Sequence, residues 1–179
     1  MTLGIRRLHP AYDRQLFEHS FSWLRNSPTG RRQTEDVFGT LDREEYLAAA
    51  TDERRIDIGV FADKYFFAKV TLHLTARRTY EVSLEADRNA PVEGIVLAGQ
   101  LIRAQLFGLY GAQLVFAWVP RWAKGVQAIL TTIGFQPTGV TMLHGTSRGR
   151  LIEWVQFTLR ADDEQQEQTT NHPHAEPGV

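Results

Sequence analysis

The chain predicts an α/β (α+β) fold, with a central mixed, mostly antiparallel sheet of six to seven strands flanked by about four helices. Three observations point there. From Arg55 to Ala86 apolar and polar residues alternate in three runs separated by short turns, the pattern of an antiparallel meander. From Thr79 to Phe135 a strand-like run, an apolar helix, a second strand and a second helix follow without a break. Finally, 179 residues with 42% hydrophobic content are enough for one domain with a sizeable core.

Leu3-Gly4-Ile5-Arg6-Arg7-Leu8 alternates as a short strand, and His9-Pro10 ends it. A helix fits from about Ala11 to Arg25, where Leu16, Phe17, Phe21 and Leu24 recur at helical spacing until Asn26-Ser27-Pro28 breaks the pattern. Thr29 to Asp36 is polar and basic and reads as an exposed loop. A short helix follows from Asp42 to Ala50, since Asp42 can cap the free amides and Glu45 stands three residues on, in capping-box position. Arg55 to Phe61 and Tyr65 to Thr75 are strands joined through Ala62-Asp63-Lys64, a connection of hairpin length. In the second, Phe66, Ala68, Val70, Leu72 and Leu74 form the face expected to be buried, and Phe67, Lys69, Thr71, His73 and Thr75 form the other. Tyr80 to Ala86 completes the meander, with Tyr80, Val82, Leu84 and Ala86 inward and Glu81, Ser83 and Glu85 opposite.

Pro91 precedes a helix from Val92 to Phe107, where a missing amide costs nothing. Gly108 to Gly111 stops it, and Gln113 to Val119 is a continuous apolar run of central-strand type. Trp122, Val126, Ile129, Leu130 and Ile133 trace one stripe of a further helix that Gly134 ends. Gly139 to Leu143 and Leu151 to Leu159 are the last strands, around the polar turn Gly145 to Gly149. The domain is expected to span residues 1–160. Residues 161–179 are a polar tail that cannot bury a core of its own, so the expectation is that it lies against other protein chains of an assembly.

The composition narrows the function. A formal charge of −1 gives no nucleic-acid signal, and the absence of cysteine excludes disulfides, thiolate metal sites and Cys nucleophiles. No run of about 18 apolar residues offers a membrane span and the first ten residues lack a signal-peptide core, so a cytoplasmic site of synthesis is expected. No metal site is expected, since His172 and His174 stand in the tail without a carboxylate-lined pocket. Arg31-Arg32 and Arg54-Arg55 read as solvated basic pairs, and Trp118, Trp122 and Trp154 read as core.

Tyr80 to Ala86, Val92 to Phe107, Leu114 to Pro120 and Trp122 to Phe135 together resemble the acetyl-CoA-binding half of the GNAT acyltransferases, and the likeness extends over most of residues 3 to 160. The resemblance implies acetyl-CoA lying like an added strand where the fourth and fifth strands splay. It places the pyrophosphate on the amides at the start of the intervening helix, which an anion suits. Arg88, Asn89, Val92 and Gly94 then become the cofactor-binding candidates. Glu81 and Glu85, with His73 on the neighbouring strand, are the candidates for the base that takes a proton from the acceptor amine.

Three departures from the family pattern pull the other way. Pro91 and Glu93 stand in the pyrophosphate turn. Ala123 replaces an asparagine that the family often has, and Leu130 replaces a tyrosine that protonates the leaving thiolate. Ala117-Trp118-Val119-Pro120 through Thr132-Ile133-Gly134, followed by Glu153-Trp154-Val155-Gln156-Phe157, looks like the divergent GNAT-like proteins of phage genomes, some of them virion components. The departures favour a non-catalytic structural component of a phage particle or other assembly, placed in the virion if phage-encoded. The alternative is an acetyl-CoA-dependent N-acyltransferase.

Overall fold

A computed structural model describes residues 2–26, 42–147 and 150–161. Strands β1 (Leu3–Leu8), β2 (Arg55–Ala62), β3 (Tyr65–Ala76), β4 (Thr79–Ala86), β5 (Leu114–Pro120), β6 (Gln136–Ser147) and β7 (Arg150–Arg160) form one seven-stranded sheet in the order β1-β2-β3-β4-β5-β7-β6. Every neighbouring pair is antiparallel except β4 and β5, which run parallel. The helices are α1 (Arg14–Asn26), α2 (Arg43–Ala49), α3 (Val92–Gly108) and α4 (Lys124–Ile133). The tail, the 29–36 loop, Arg31-Arg32 and His172 and His174 lie outside the described residues, as do residues 148 and 149 of the last turn.

The expected order of elements is the one observed, with shifts that have local causes. α1 starts three residues late because the amides of Tyr12 and Asp13 both donate to His9 O and close a turn there. Asp42 caps α2 as expected, accepting from Glu44 N at 3.4 Å. The β2–β3 hairpin needs Asp63 at φ 53, a left-handed conformation that Asp tolerates better than most residues. At the end of α4, Gly134 (φ 108) lets Phe135 N donate back to Leu130 O, closing the helix.

Two cores pack on opposite faces of the sheet. The larger gathers Val60, Phe67, Leu72, Ile102, Val115 and Leu159 with α3 and α4, and the smaller gathers Phe17, Phe21, Trp23, Tyr46 and Phe66 under α1 and α2. α3 and α4 approach closely at Gly99, where a Cβ would stand 2.3 Å from Ile133 Cδ1. β3 departs from its expected pattern in two ways. Its ladder with β2 slips between Val60 and Phe61, leaving Phe67 opposite no partner. Phe67 thereby joins Ala68, Val70 and Leu72 in the larger core, while Phe66 enters the smaller one. The face expected to be exposed is covered as well, with Lys69 at 0% exposure.

Candidate active site

β4 and β5 are hydrogen-bonded over three residue pairs, Thr79 with Leu114, Tyr80 with Val115 and Glu81 with Phe116. Beyond Glu81 the pairing stops. β4 stays bonded to β3 as far as Ala86, and β5 stays bonded to β7 as far as Pro120, so the two strands separate and leave a slot between them. In a strand, alternate residues turn their N–H and C=O toward each edge, so Val82 to Ala86 presents backbone donors and acceptors to the slot. Leu84 lies 36% exposed there. Each strand then feeds a helix at the same end of the slot, α3 after β4 and α4 after β5.

At the mouth, α3 opens on Pro91, in extended conformation and with no side-chain cap. Ile95 N donates to Pro91 O, so the amides of Val92, Glu93 and Gly94 precede the first bonded turn. Arg88 and Asn89 are exposed, and Val92 is 55% exposed. Gly94 is buried, and its missing Cβ makes room for Pro91 Cγ and a Phe67 ring carbon at 3.1 and 3.2 Å from where it would stand, so this glycine serves packing beneath the turn. On the other lip, Ala123 begins α4 without a cap, and Gln127 Nε2 reaches back to donate to Pro120 O and Arg121 O at 3.2 and 3.1 Å. Leu130 packs against the core. Trp122, read as core, is 40% exposed on this lip, whereas Trp154 is buried.

The three candidate bases separate into two places. His73 and Glu81 stand directly opposite each other in the β3–β4 ladder, at the vertex of the slot. His73 is 43% exposed and points Nε2 at Asp52 Oδ2, 3.5 Å away. Glu81 is half-buried and makes no hydrogen bond or ion pair among the described residues. Glu85, about 13 Å further along β4 on the same face, lies under α1 and α2 in a buried polar cluster.

Lys69 is the centre of that cluster. Its ammonium donates to Tyr46 Oη at 2.5 Å, lies 3.0 Å from Glu85 Oε2 and 3.4 Å from Asp57 Oδ1, and sits over the rings of Tyr46 and Phe17. Tyr46 in turn donates to Glu85 Oε2, and Ser20 Oγ is 2.7 Å from the phenol. Arg55, expected to be solvated, is mostly buried and grips Asp57 through Nε and Nη2 at 2.8 and 2.9 Å, while Thr71 Oγ1 donates to Asp57 Oδ1. Burial raises the carboxyl of Asp57, but the Arg55 hydrogen bonds and the Lys69 charge outweigh it and hold the group below its ordinary range. Burial first, and the Glu85 carboxylate second, push the Tyr46 phenol far above its ordinary value, so it stays protonated.

Lys69, Tyr46 and Asp57 were not among the sequence candidates. The available signal was Phe17 and Phe21 on one stripe of α1, since an amphipathic helix must cover some face of the sheet. Among the described residues there is no group of three or more side chains suited to a metal, and no helix long and apolar enough to cross a membrane.

A mostly antiparallel seven-stranded sheet, split between two parallel strands that each feed a helix at the mouth of the split, is the GNAT acetyltransferase fold. Spermidine N-acetyltransferase from Vibrio cholerae, solved with CoA and spermine, matches with a TM-score of 0.73 at 14% identity, over 91% of this chain and 98% of its own. A GNAT-family acetyltransferase from Bacillus anthracis matches with a TM-score of 0.69 at 12% identity, over 92% and 96% of the two chains. The Campylobacter jejuni N-acetyltransferase PseH, in complex with acetyl coenzyme A, matches at 0.59 and 15% identity, over 89% and 99%. No family model matches the chain, and no curated protein matches it in sequence. At these identities the likeness is one of fold.

Proposed function

We propose that this protein is an N-acyltransferase that moves an acetyl group from the thioester of acetyl-CoA to an amine. The observation that carries the reading is the slot between β4 and β5 with a carboxylate at its vertex, Glu81, that has no partner among the described residues. A pantetheine arm is narrow and carries two amides, which suits a slot edged by the free backbone groups of Val82 to Ala86. Acetyl-CoA, when bound, supplies an activated acyl carbon and a good leaving group. Glu81 takes the proton of the attacking amine, directly or through one water, and His73 across the ladder opens onto solvent for its release. A thiol ionises near pH 8.5 in water, so the leaving group departs with little help from an acid, which reconciles Leu130 with turnover.

Glu85 is assigned no proton transfer, because Lys69 and Tyr46 already hold its carboxylate. The acetyltransferases among the structural neighbours support this reading, and the polyamine enzyme makes spermidine a first acceptor to test. The competing reading is a non-catalytic role in an assembly. Ala123 and Leu130, in place of the residues the family often uses, favour it; membership of a virion has no such support.

The deciding experiment is calorimetric titration with acetyl-CoA, followed by amine-dependent thiol release. Saturable binding with turnover, and a Glu81→Gln variant that keeps binding but loses turnover about a hundredfold, are the expected results. No binding at millimolar ligand and no thiol release overturn the enzyme reading and leave the scaffold.

A further inference from the structure

We infer that this slot selects its donor through the phosphopantetheine arm and not through the diphosphate and nucleotide of CoA, so that an acyl-phosphopantetheine serves as donor about as well as acetyl-CoA. The inference rests on the acyltransferase reading and specifies its substrate.

The turn at the mouth is built against a polyanion. Asp87 Oδ1 accepts from Asn89 N at 2.8 Å, and Asp87 O accepts from Ala90 N at 3.0 Å. Pro91 has no amide, so three successive positions have no N–H left to offer a phosphate. The Asn89 amide, and after it the Tyr65 hydroxyl that donates to Asp87 Oδ2, hold the Asp87 carboxyl below its ordinary range, keeping it anionic at neutral pH. Glu93 adds a second carboxylate in the first turn of α3, where Arg88 is the only side-chain cation between residues 87 and 94. Two carboxylates against one guanidinium leave the turn with a net negative side-chain charge, facing a ligand end that carries a diphosphate and a 3′-phosphate of about two further charges.

The other features of the mouth point the same way. Gly94 packs against Phe67, so its missing Cβ serves the core beneath the turn, and the amides of Val92, Glu93 and Gly94 are what the backbone has left for a phosphate. On the opposite lip Arg121 is neutralised by Glu153 at 2.5 Å, and Lys124 turns along α4 to Gln127 Oε1 at 3.3 Å. The slot beyond the mouth, in contrast, keeps an open strand edge from Val82 to Ala86. The affinity therefore resides in the arm, and a single phosphate can be met by Arg88 and the amides at the start of α3, without the second and third phosphates of CoA.

Phosphopantetheine thioesters occur free, at the end of CoA or on a carrier protein, and the test separates these sources. CoA and phosphopantetheine are titrated calorimetrically into the full chain, and thiol release to spermidine is measured with acetyl-CoA, S-acetyl-phosphopantetheine and an acetylated acyl carrier protein. The expected result is a phosphopantetheine affinity within about threefold of that of CoA, with Glu93→Lys tightening CoA about tenfold and phosphopantetheine less. A carrier that outpaces the free arm identifies the source as carrier-bound and equal rates identify it as the free thioester; either supports the inference. A preference for CoA of more than about a hundredfold, or a Glu93→Lys variant that leaves CoA affinity where it was, overturns the inference while the transferase reading stands. Failure of both thiols to bind, without thiol release from any donor, is the failure of that reading, and the inference falls with it.

Discussion

Glu81 and Glu85 stand on the same face of the same strand, two repeats of the pleat apart, and the fold gives them opposite employment. Glu85 sits beneath α1 and α2, where the ammonium of Lys69 and the hydroxyl of Tyr46 take up its charge. Glu81 sits where β4 parts from β5, with no partner among the described residues. A carboxylate held this way supports structure, because its charge is matched inside the protein; one left unmatched beside a slot can accept a proton from a ligand. The difference lies in what covers each residue and not in the residue type.

Removing the partner of the buried carboxylate is the harshest way to break the comparison. Lys69→Ala leaves Glu85 and Asp57 facing an apolar gap, with only Arg55 to offset them, and is expected to cost about 3–5 kcal/mol in urea unfolding. Adding Glu85→Gln to that variant removes the charge left unpaired and is expected to recover part of the loss. If the double variant is instead less stable by the full sum of the single effects, the cluster does not act as a unit.

The same pair of residues can be sharpened kinetically. Glu81→Gln is expected to lower kcat about a hundredfold, about 2.7 kcal/mol in barrier, with a melting temperature unchanged within a degree or so. Glu85→Gln is expected to do the reverse, lowering the melting temperature while kcat holds. An exchange of these two outcomes would move the base to the buried cluster.

Acid tests the buried cluster through Asp57. The Asp57 carboxyl is held below its ordinary range, so its contribution is fully present above the unfolded carboxyl value of about 3.9 and is lost as pH falls through the folded value. Asp13, tied to Arg6, shifts in the same direction, so the informative quantity is the difference between wild type and Asp57→Asn. That difference in urea midpoint is expected to be constant from pH 7 to about pH 5 and to shrink below about pH 4. A difference that stays constant to the acid limit would mean that Asp57 is not anionic in the folded chain.

How far this contrast could be read in advance differs between fold and site. The fold was legible because its signals are local. Strand alternation from Arg55 to Ala86, the apolar run Gln113 to Val119 and the stop at Gly134 each act within a few residues. The site depends on contacts between distant residues. Lys69 falls at a polar position of an alternating strand, which alone predicts an exposed face, because nothing within β3 shows that α1 and α2 close over it. The slip at Phe67 that exchanges the faces of Phe66 and Phe67 is likewise set by the β2 partner. Glu81, Glu85 and His73 are candidates through the family resemblance, which asks for a carboxylate on the fourth strand, whereas Asp52 and Tyr46 reach the sheet from a different part of the chain and no motif points to them.

The finest test of the comparison removes one oxygen. Tyr46 is the buried residue of α2, and its hydroxyl touches Lys69, Glu85 and Ser20 at once. Tyr46→Phe keeps the ring against Phe21 and Phe17's side of the core but leaves Glu85 Oε2 with one donor fewer, at an expected cost of about 1–2 kcal/mol. Because the charge balance among Lys69, Asp57, Glu85 and Arg55 is untouched, the loss should be well below that of Lys69→Ala. Glu81 lies beyond this hydroxyl, so kcat is expected to hold while the urea midpoint falls. A loss of kcat in Tyr46→Phe larger than its loss of stability explains would show that the two carboxylates are coupled, and that the buried cluster also tunes the vertex of the slot.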